Sequence, residues 1–246
     1  MTPLLSIVAV SIESPEWAEL LVKSVRKFTA NPYEIIIVDN GSLDKNLGWL
    51  RSQSDIRLLE QGYNRGHGKG IDIGVAAASG AYVCVMDIDA HFQRHEWDTD
   101  LIDLYHDDDR TRLIGCVGPE HKPLHPPLFF FERDFVQQHK IFFRYDPSDG
   151  PKQTDSCQQA YWDIIALGYK VLRLEKGRKV YVSKMGDEIW IAGKPTICHH
   201  WYGTRFQENN PERTKSVLDG HTLEEHLEHK RLMFAEPLVK EILADD

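Results

Sequence analysis

Cysteine is sparse in this chain, and none of it is paired by spacing. Cys84, Cys116, Cys157 and Cys198 stand far apart among 246 residues. That excludes a dense disulfide framework and fits reduced thiols in a cytoplasmic protein. Long apolar runs are also missing: none approaches the roughly 20 residues needed to cross a bilayer core. The N-terminus has no basic region ahead of its short apolar run, so no secretory signal is expected and a cytoplasmic location is. Positive charge is in deficit. Lys and Arg number 29 against 38 Asp and Glu, a net charge of −9, which argues against a generally nucleic-acid-binding surface. No repeat, no low-complexity tract and no Gly-Lys-Ser/Thr phosphate loop occurs. The length suits one large α/β domain, or a domain with a small lobe.

What is present begins with short apolar runs separated by helical patterns. Leu4 to Ile12 reads as a buried strand. Ser14-Pro15-Glu16 then carries a helix-start signature, and Trp17, Leu20, Leu21, Val25 and Phe28 recur at helical spacing until Asn31-Pro32. Glu34 to Val38 is a second strand, running into Asp39-Asn40-Gly41-Ser42. Leu47 to Ser52 is expected as a short helix and Ile56 to Leu59 as a short strand. A glycine-rich turn is expected over residues 62–70, and a small-residue helix over Ile71 to Ala78. Alternation of strands and helices over roughly ninety residues implies a parallel sheet with helices on its faces. Such sheets bind ligands at the carboxyl ends of their strands, where Ser11, Asp39, Asn40, Asp87 and Asp89 fall.

Gly80 to Asp89 is the most telling stretch. An apolar strand stops at two carboxylates one residue apart, and extended alternation would put Asp87 and Asp89 on one side. Oxygen ligands at a strand end suit a hard divalent ion that takes substrate phosphates as further ligands.

These segments together resemble the nucleotide-sugar glycosyltransferases of the GT-A fold, and most closely the family 2 type. The resemblance covers residues 4–92. It rests on Ser6-Ile7-Val8-Ala9-Val10-Ser11, Ile35 to Ser42, Asn64-Arg65-Gly66-His67-Gly68, Asp72-Ile73-Gly74 and Gly80 to Asp89. The family pattern Pro-Thr-Tyr-Asn after the first strand is replaced by Val10-Ser11-Ile12-Glu13, and a family Asn by Asp72. The resemblance implies an α/β fold with a mostly parallel central sheet, helices on both faces and a C-terminal helical tail. The domain would span residues 1–205, with a nucleotide-sugar half (1–95) and an acceptor half (96–205), followed by a helical extension (206–246). It implies transfer of a sugar from a nucleotide diphosphate, with a UDP-sugar the expected donor, to a hydroxyl acceptor of unspecified class. Nucleotide-sugar contacts would come from Ser11, Glu13, Asp39, Asn64, Gly66, Lys69, Asp87 and Arg205. Asp39 would accept from the base, most often uracil. Asp87 would face the ribose or a metal-bound water, and Asp89 would bind Mn²⁺ or Mg²⁺ directly.

The second half is less patterned. Trp97 to His106 reads as a helix and Asp107-Asp108-Asp109 as a solvated turn. Leu113 to Val117 and Leu128 to Phe131 read as strands, and residues 121–127 as a stiff linker. Thr154-Asp155-Ser156 opens a helix ending near Gly168-Tyr169. By the resemblance, Asp155 is the candidate general base of an inverting enzyme; as a residue it serves equally as a helix cap. Asp187-Glu188 are alternative acids. Thr196 to Arg205 resembles the C-terminal block of metal-dependent GT-A enzymes: His199 or His200 as a metal ligand, with Arg205 as a diphosphate clamp. The spacing to Arg205, with a turn at Gly203, favours His200. The amphipathic tail would pack on the domain or on a second copy. A sugar-phosphate nucleotidyltransferase and a non-catalytic nucleotide-sugar-binding protein are the alternative readings.

Overall fold

The computed structural model describes residues 3–117, 124–144, 157–175, 186–200 and 223–245. Its first four strands are β1 (Leu5–Ser11), β2 (Tyr33–Asp39), β3 (Ile56–Glu60) and β4 (Tyr82–Asp87). They pair in parallel, β3-β2-β1-β4. β7 (Leu124–Glu132) adds antiparallel to β4; β6 (Thr111–Val117) pairs antiparallel to β7 and parallel to β8 (Lys170–Leu174). The result is a seven-stranded, mainly parallel sheet.

The apolar runs are near-continuous because both faces of this sheet are covered. Ile7, Ala9, Ile35, Ile37, Cys84 and Met86 point into one core. It lies under α1 (Pro15–Phe28) and α4 (Trp97–His106). Val8, Val10, Ile36, Val38, Val83 and Val85 point into a second core, under α3 (His67–Ala77), α5 (Arg133–Gln138) and α6 (Gln158–Ala166). The period of two along each strand thus feeds two cores from one sequence.

Three local expectations change. The glycine-rich segment is a turn only up to Gly66; α3 begins at His67, so Gly68 and Gly70 are helical. Both are packed too tightly for a side chain, Gly68 against the Phe143 carbonyl and Gly70 against Val10. Leu124–Pro127 belongs to β7 rather than to a linker, and the ladder to β6 shifts register between Gly115 and Cys116. A three-residue strand, β5 (Ala90–Phe92), follows Asp89 directly. It is the edge of a second sheet with β10 (Lys194–His200) and β9 (Gly186–Ile191), in the order β5-β10-β9, all antiparallel. A short 3₁₀ turn (Asp44–Asn46) precedes α2 (Gly48–Ser52).

The tail forms α7 (Leu223–Ala235) and α8 (Pro237–Ala244). Met233, Val239 and Ile242 are buried in the same core as α1. Lys23 Nζ donates to the Leu243 carbonyl at 2.7 Å, and Lys230 pairs with Glu16 at 2.9 Å. The tail therefore docks on the domain's own α1. Among the described residues no helix is long and apolar enough to cross a membrane.

Candidate active site

The loop after β2 is held by its own carboxylate. Asp39 is 1% exposed. Its Oδ2 accepts from the Gly41 and Ser42 amides, both at 3.0 Å, and its Oδ1 from the Ser42 hydroxyl. Gly41 is needed there twice over. Its φ is +95°, and a Cβ would stand 2.6 Å from the Tyr63 Cα. Gly41→Ala is expected to destabilise the fold by roughly 1–3 kcal/mol, read as a lower midpoint in urea, because neither the strained φ nor the backbone contact can relax cheaply.

Asn40 ties this loop to the next. Its Nδ2 donates to Asn64 Oδ1 and to the Gly66 carbonyl, each at 3.2 Å, and its Oδ1 accepts from the Arg65 amide at 3.1 Å. Asn64 Oδ1 also accepts from the Gly66 amide at 2.8 Å. Gly66 (φ +89°) stands just before the first turn of α3, with nothing within 4 Å of where a Cβ would lie. Arg65 stacks on the exposed Tyr63 ring at 4.4 Å. Lys69 lies half-buried in the first turn. Asp72 accepts from the Phe143 amide at 2.7 Å, and burial pushes its carboxyl above the usual carboxylate range. Ser11 is buried, its carbonyl accepting from the Asn40 amide at 2.8 Å. Glu13 directs both carboxylate oxygens to the loop after β2, to the Leu43 amide at 2.6 Å and to the Asn46 side chain. Several residues expected to touch nucleotide therefore brace one loop against another.

Asp87 ends β4, and Ile88-Asp89 turn the chain into β5. The two carboxylates converge through that turn, not through the extended alternation expected from sequence. Asp89 is 5% exposed. Across from them stands His199 of β10, whose Nε2 lies 3.6 Å from Asp87 Oδ2 and 3.6 Å from Asp89 Oδ1. One ligand atom from each of the three fits within a 4.8 Å span. Ligands of one ion with bonds near 2.1 Å sit about 3.0 Å apart at right angles and about 4.2 Å apart across it. Two carboxylates and an imidazole at these separations fit a divalent cation without rearrangement of the backbone.

Of the two histidines that the sequence offers, with His200 favoured there, it is His199 that the structure places beside the carboxylates. β10 is extended, so neighbouring side chains point to opposite faces. His199 faces the carboxylates, while His200, fully buried, stacks on Trp17 of α1 with ring centroids 4.8 Å apart. The His200 amide donates to the Asp89 carbonyl at 2.8 Å, so the ladder itself fixes which histidine faces inward. Asp155 and Arg205 lie outside the described residues. Two further residues stand by this cluster: His67, given no role from sequence, and Asp187, read there as an alternative acid. His67, the first residue of α3, has Nε2 3.4 Å from Asp87 Oδ1. Asp187, 4% exposed, is directly opposite His199 across the β9–β10 ladder, and cross-strand partners share a face. What brings both to this cluster is the packing of segments distant in sequence.

Acidic groups at the carboxyl end of a parallel sheet stand where α/β folds bind their ligands. The sequence model described as glycosyl transferase family 2 matches residues 6–150. The chain belongs to that family. A protein of Haemophilus influenzae described as an uncharacterized glycosyltransferase is 25% identical over 182 residues, 58% of this chain. The match spans 56% of that relative's length. Among solved structures, the mannosyltransferase PcManGT from Pyrobaculum calidifontis, in complex with GDP-Man and Mn²⁺, aligns with a TM-score of 0.60 at 15% identity. That alignment covers 99% of this chain and 68% of the other. Residues 1–349 of S. aureus TarS in complex with UDP align at 0.50 and 18% identity, covering 69% of this chain and 57% of that one. At these identities the structures establish the GT-A-like fold.

Proposed function

We propose that this family 2 glycosyltransferase moves a sugar from a nucleoside diphosphate, uridine diphosphate being the expected carrier, to an acceptor hydroxyl, with Mn²⁺ or Mg²⁺ held by Asp87, Asp89 and His199. The observation that carries this is the meeting of those three side chains beside Gly66 and His67 at the start of α3. The Mn²⁺ and GDP-Man of the Pyrobaculum structure and the UDP of TarS support the class of donor. A bound divalent ion there supplies charge neutralisation for the departing diphosphate.

The chain's own groups do the rest. Gly66, without a side chain and open to its surroundings, lets the backbone approach the diphosphate, and the first amides of α3 favour its negative charge. Asn40 and Asn64 hold that loop in place. Asp39 shapes the base pocket through the Gly41–Ser42 turn, since its oxygens already serve that turn. His67 orients Asp87. Arg205 is the proposed clamp on the diphosphate. Asp155 is the proposed base that takes the acceptor proton in an inverting reaction, and Asp187, on the His199 face, is the second candidate.

The test is a panel of UDP-, GDP- and dTDP-sugars scored for binding and slow hydrolysis with and without Mn²⁺. One or more UDP-sugars should bind in a metal-dependent way. His199→Ala should weaken that binding at least about tenfold, because one of three protein ligands is lost. A panel with no metal-dependent donor would overturn the reading.

A further inference from the structure

The face of the small sheet that turns away from Asp87 and Asp89 carries a second set of ligand-bearing side chains. Cys198 is directly opposite His91 across the β5–β10 ladder, and His200 is two residues further along the same strand. Period-two alternation puts all three on one side. They are buried to 0–1% exposure. His91 Nδ1 lies 3.0 Å from His200 Nε2, and Cys198 Sγ lies 3.5 Å from the same nitrogen. One donor atom from each of the three falls within 4.8 Å of the others.

Those separations match a tetrahedral ion. With Zn–N near 2.05 Å and Zn–S near 2.3 Å, tetrahedral neighbours stand about 3.3 Å apart for two nitrogens and about 3.5 Å for nitrogen and sulfur. The donor set, two imidazoles and a thiol, is soft enough for Zn²⁺ and poorly suited to Mg²⁺. His229 of α7 is packed against the set, its ring centroid 5.8 Å from that of His200, and it too is buried.

We infer that His91, Cys198 and His200 form a structural transition-metal centre, best suited to Zn²⁺, with His229 the candidate for the fourth position. Binding takes the Cys198 thiol as thiolate and releases its proton to solvent. The centre joins β5 to β10 and sits beneath α1 and α7. It therefore clamps the strand whose opposite face presents His199 to the donor site. The acidic cluster and this one differ in chemistry: two carboxylates and one imidazole on one side of β10, a thiol and two imidazoles on the other.

A thiolate ligand allows the two sites to be told apart. Protein produced in zinc-depleted, cobalt-supplemented medium should hold about one equivalent of Co²⁺ after dialysis against chelator. It should show a thiolate-to-cobalt charge-transfer band in the near ultraviolet, together with intense tetrahedral visible bands. Asp89→Asn, which disables the other cluster, should leave this spectrum unchanged, and added Zn²⁺ should bleach it. Cys198→Ser should lose the charge-transfer band. Should that variant fail to fold, the wild-type spectrum decides alone. Folded wild-type protein without a thiolate band would overturn the inference and leave His91 and His200 as a hydrogen-bonded pair in an apolar core. Because the signal is independent of the nucleotide, it stands or falls separately from the proposed donor chemistry.

Discussion

Asp89→Asn is expected to cut sugar transfer on the order of 10²–10³-fold while leaving the fold intact. The asparagine keeps the volume and the backbone, including the Asp89 carbonyl that accepts from the His200 amide. Only one anionic oxygen ligand is removed. The loss corresponds to roughly 3–4 kcal/mol of transition-state stabilisation, the scale set by deleting one preorganised electrostatic contact. Stability should hold or rise slightly, since Asp87 and Asp89 are like charges held close together, both 3.6 Å from one imidazole nitrogen. The measurements are kcat/KM for the best donor and the urea midpoint. The residual activity of the variant should be nearly indifferent to chelator. An Asp89→Asn enzyme with full, chelator-sensitive turnover would remove Asp89 from the ion's coordination. Asp87→Asn should cost less if Asp87 meets the ribose or a water.

The second large effect concerns the acceptor proton. Asp155→Asn is expected to lower turnover about 10²–10⁴-fold, the usual contribution of a general base, with metal-dependent UDP binding retained. Asn caps a helix about as well as Asp, so thermal stability should not change if Asp155 also serves as a cap. Asp187→Asn supplies the contrast. Its position opposite His199 predicts weaker metal-dependent binding, seen calorimetrically as a higher Kd for UDP. Turnover lost in Asp187→Asn with binding intact would move the base to Asp187. Near-normal turnover in both variants would instead favour a retaining reaction, and the anomeric configuration of the product, read by NMR, would decide it independently.

Much of the fold was legible because it is written in local patterns. Val8 and Val10 alternate with Ile7 and Ala9, and each set reaches its own core. Pro15 opens α1 where the sequence expects it, although the Ser14 hydroxyl donates to the Ile12 carbonyl and accepts from none of the helix amides. Asp87 and Asp89 were visible as a strand end. What stayed hidden depends on long-range pairing. The choice between His199 and His200 turns on which face of β10 meets Asp89, and nothing local fixes that phase. β5 is too short to signal itself. Asp39 and Glu13 look like ligands in sequence because carboxylates at strand ends often are. Only the structure shows their oxygens engaged by Ser42, Leu43 and Asn46. His91 gave no signal as a partner of Cys198, since 107 positions separate them.

The most direct test of the central claim is a calorimetric titration of UDP into wild-type protein and into His199→Ala and Asp89→Asn, each with Mn²⁺ and with chelator. The account predicts that Mn²⁺ tightens UDP binding to the wild type at least about tenfold, and that this gain largely disappears in both variants while their chelator-treated affinities match the wild type. Equal UDP affinity with Mn²⁺ and with chelator in the wild type would contradict it.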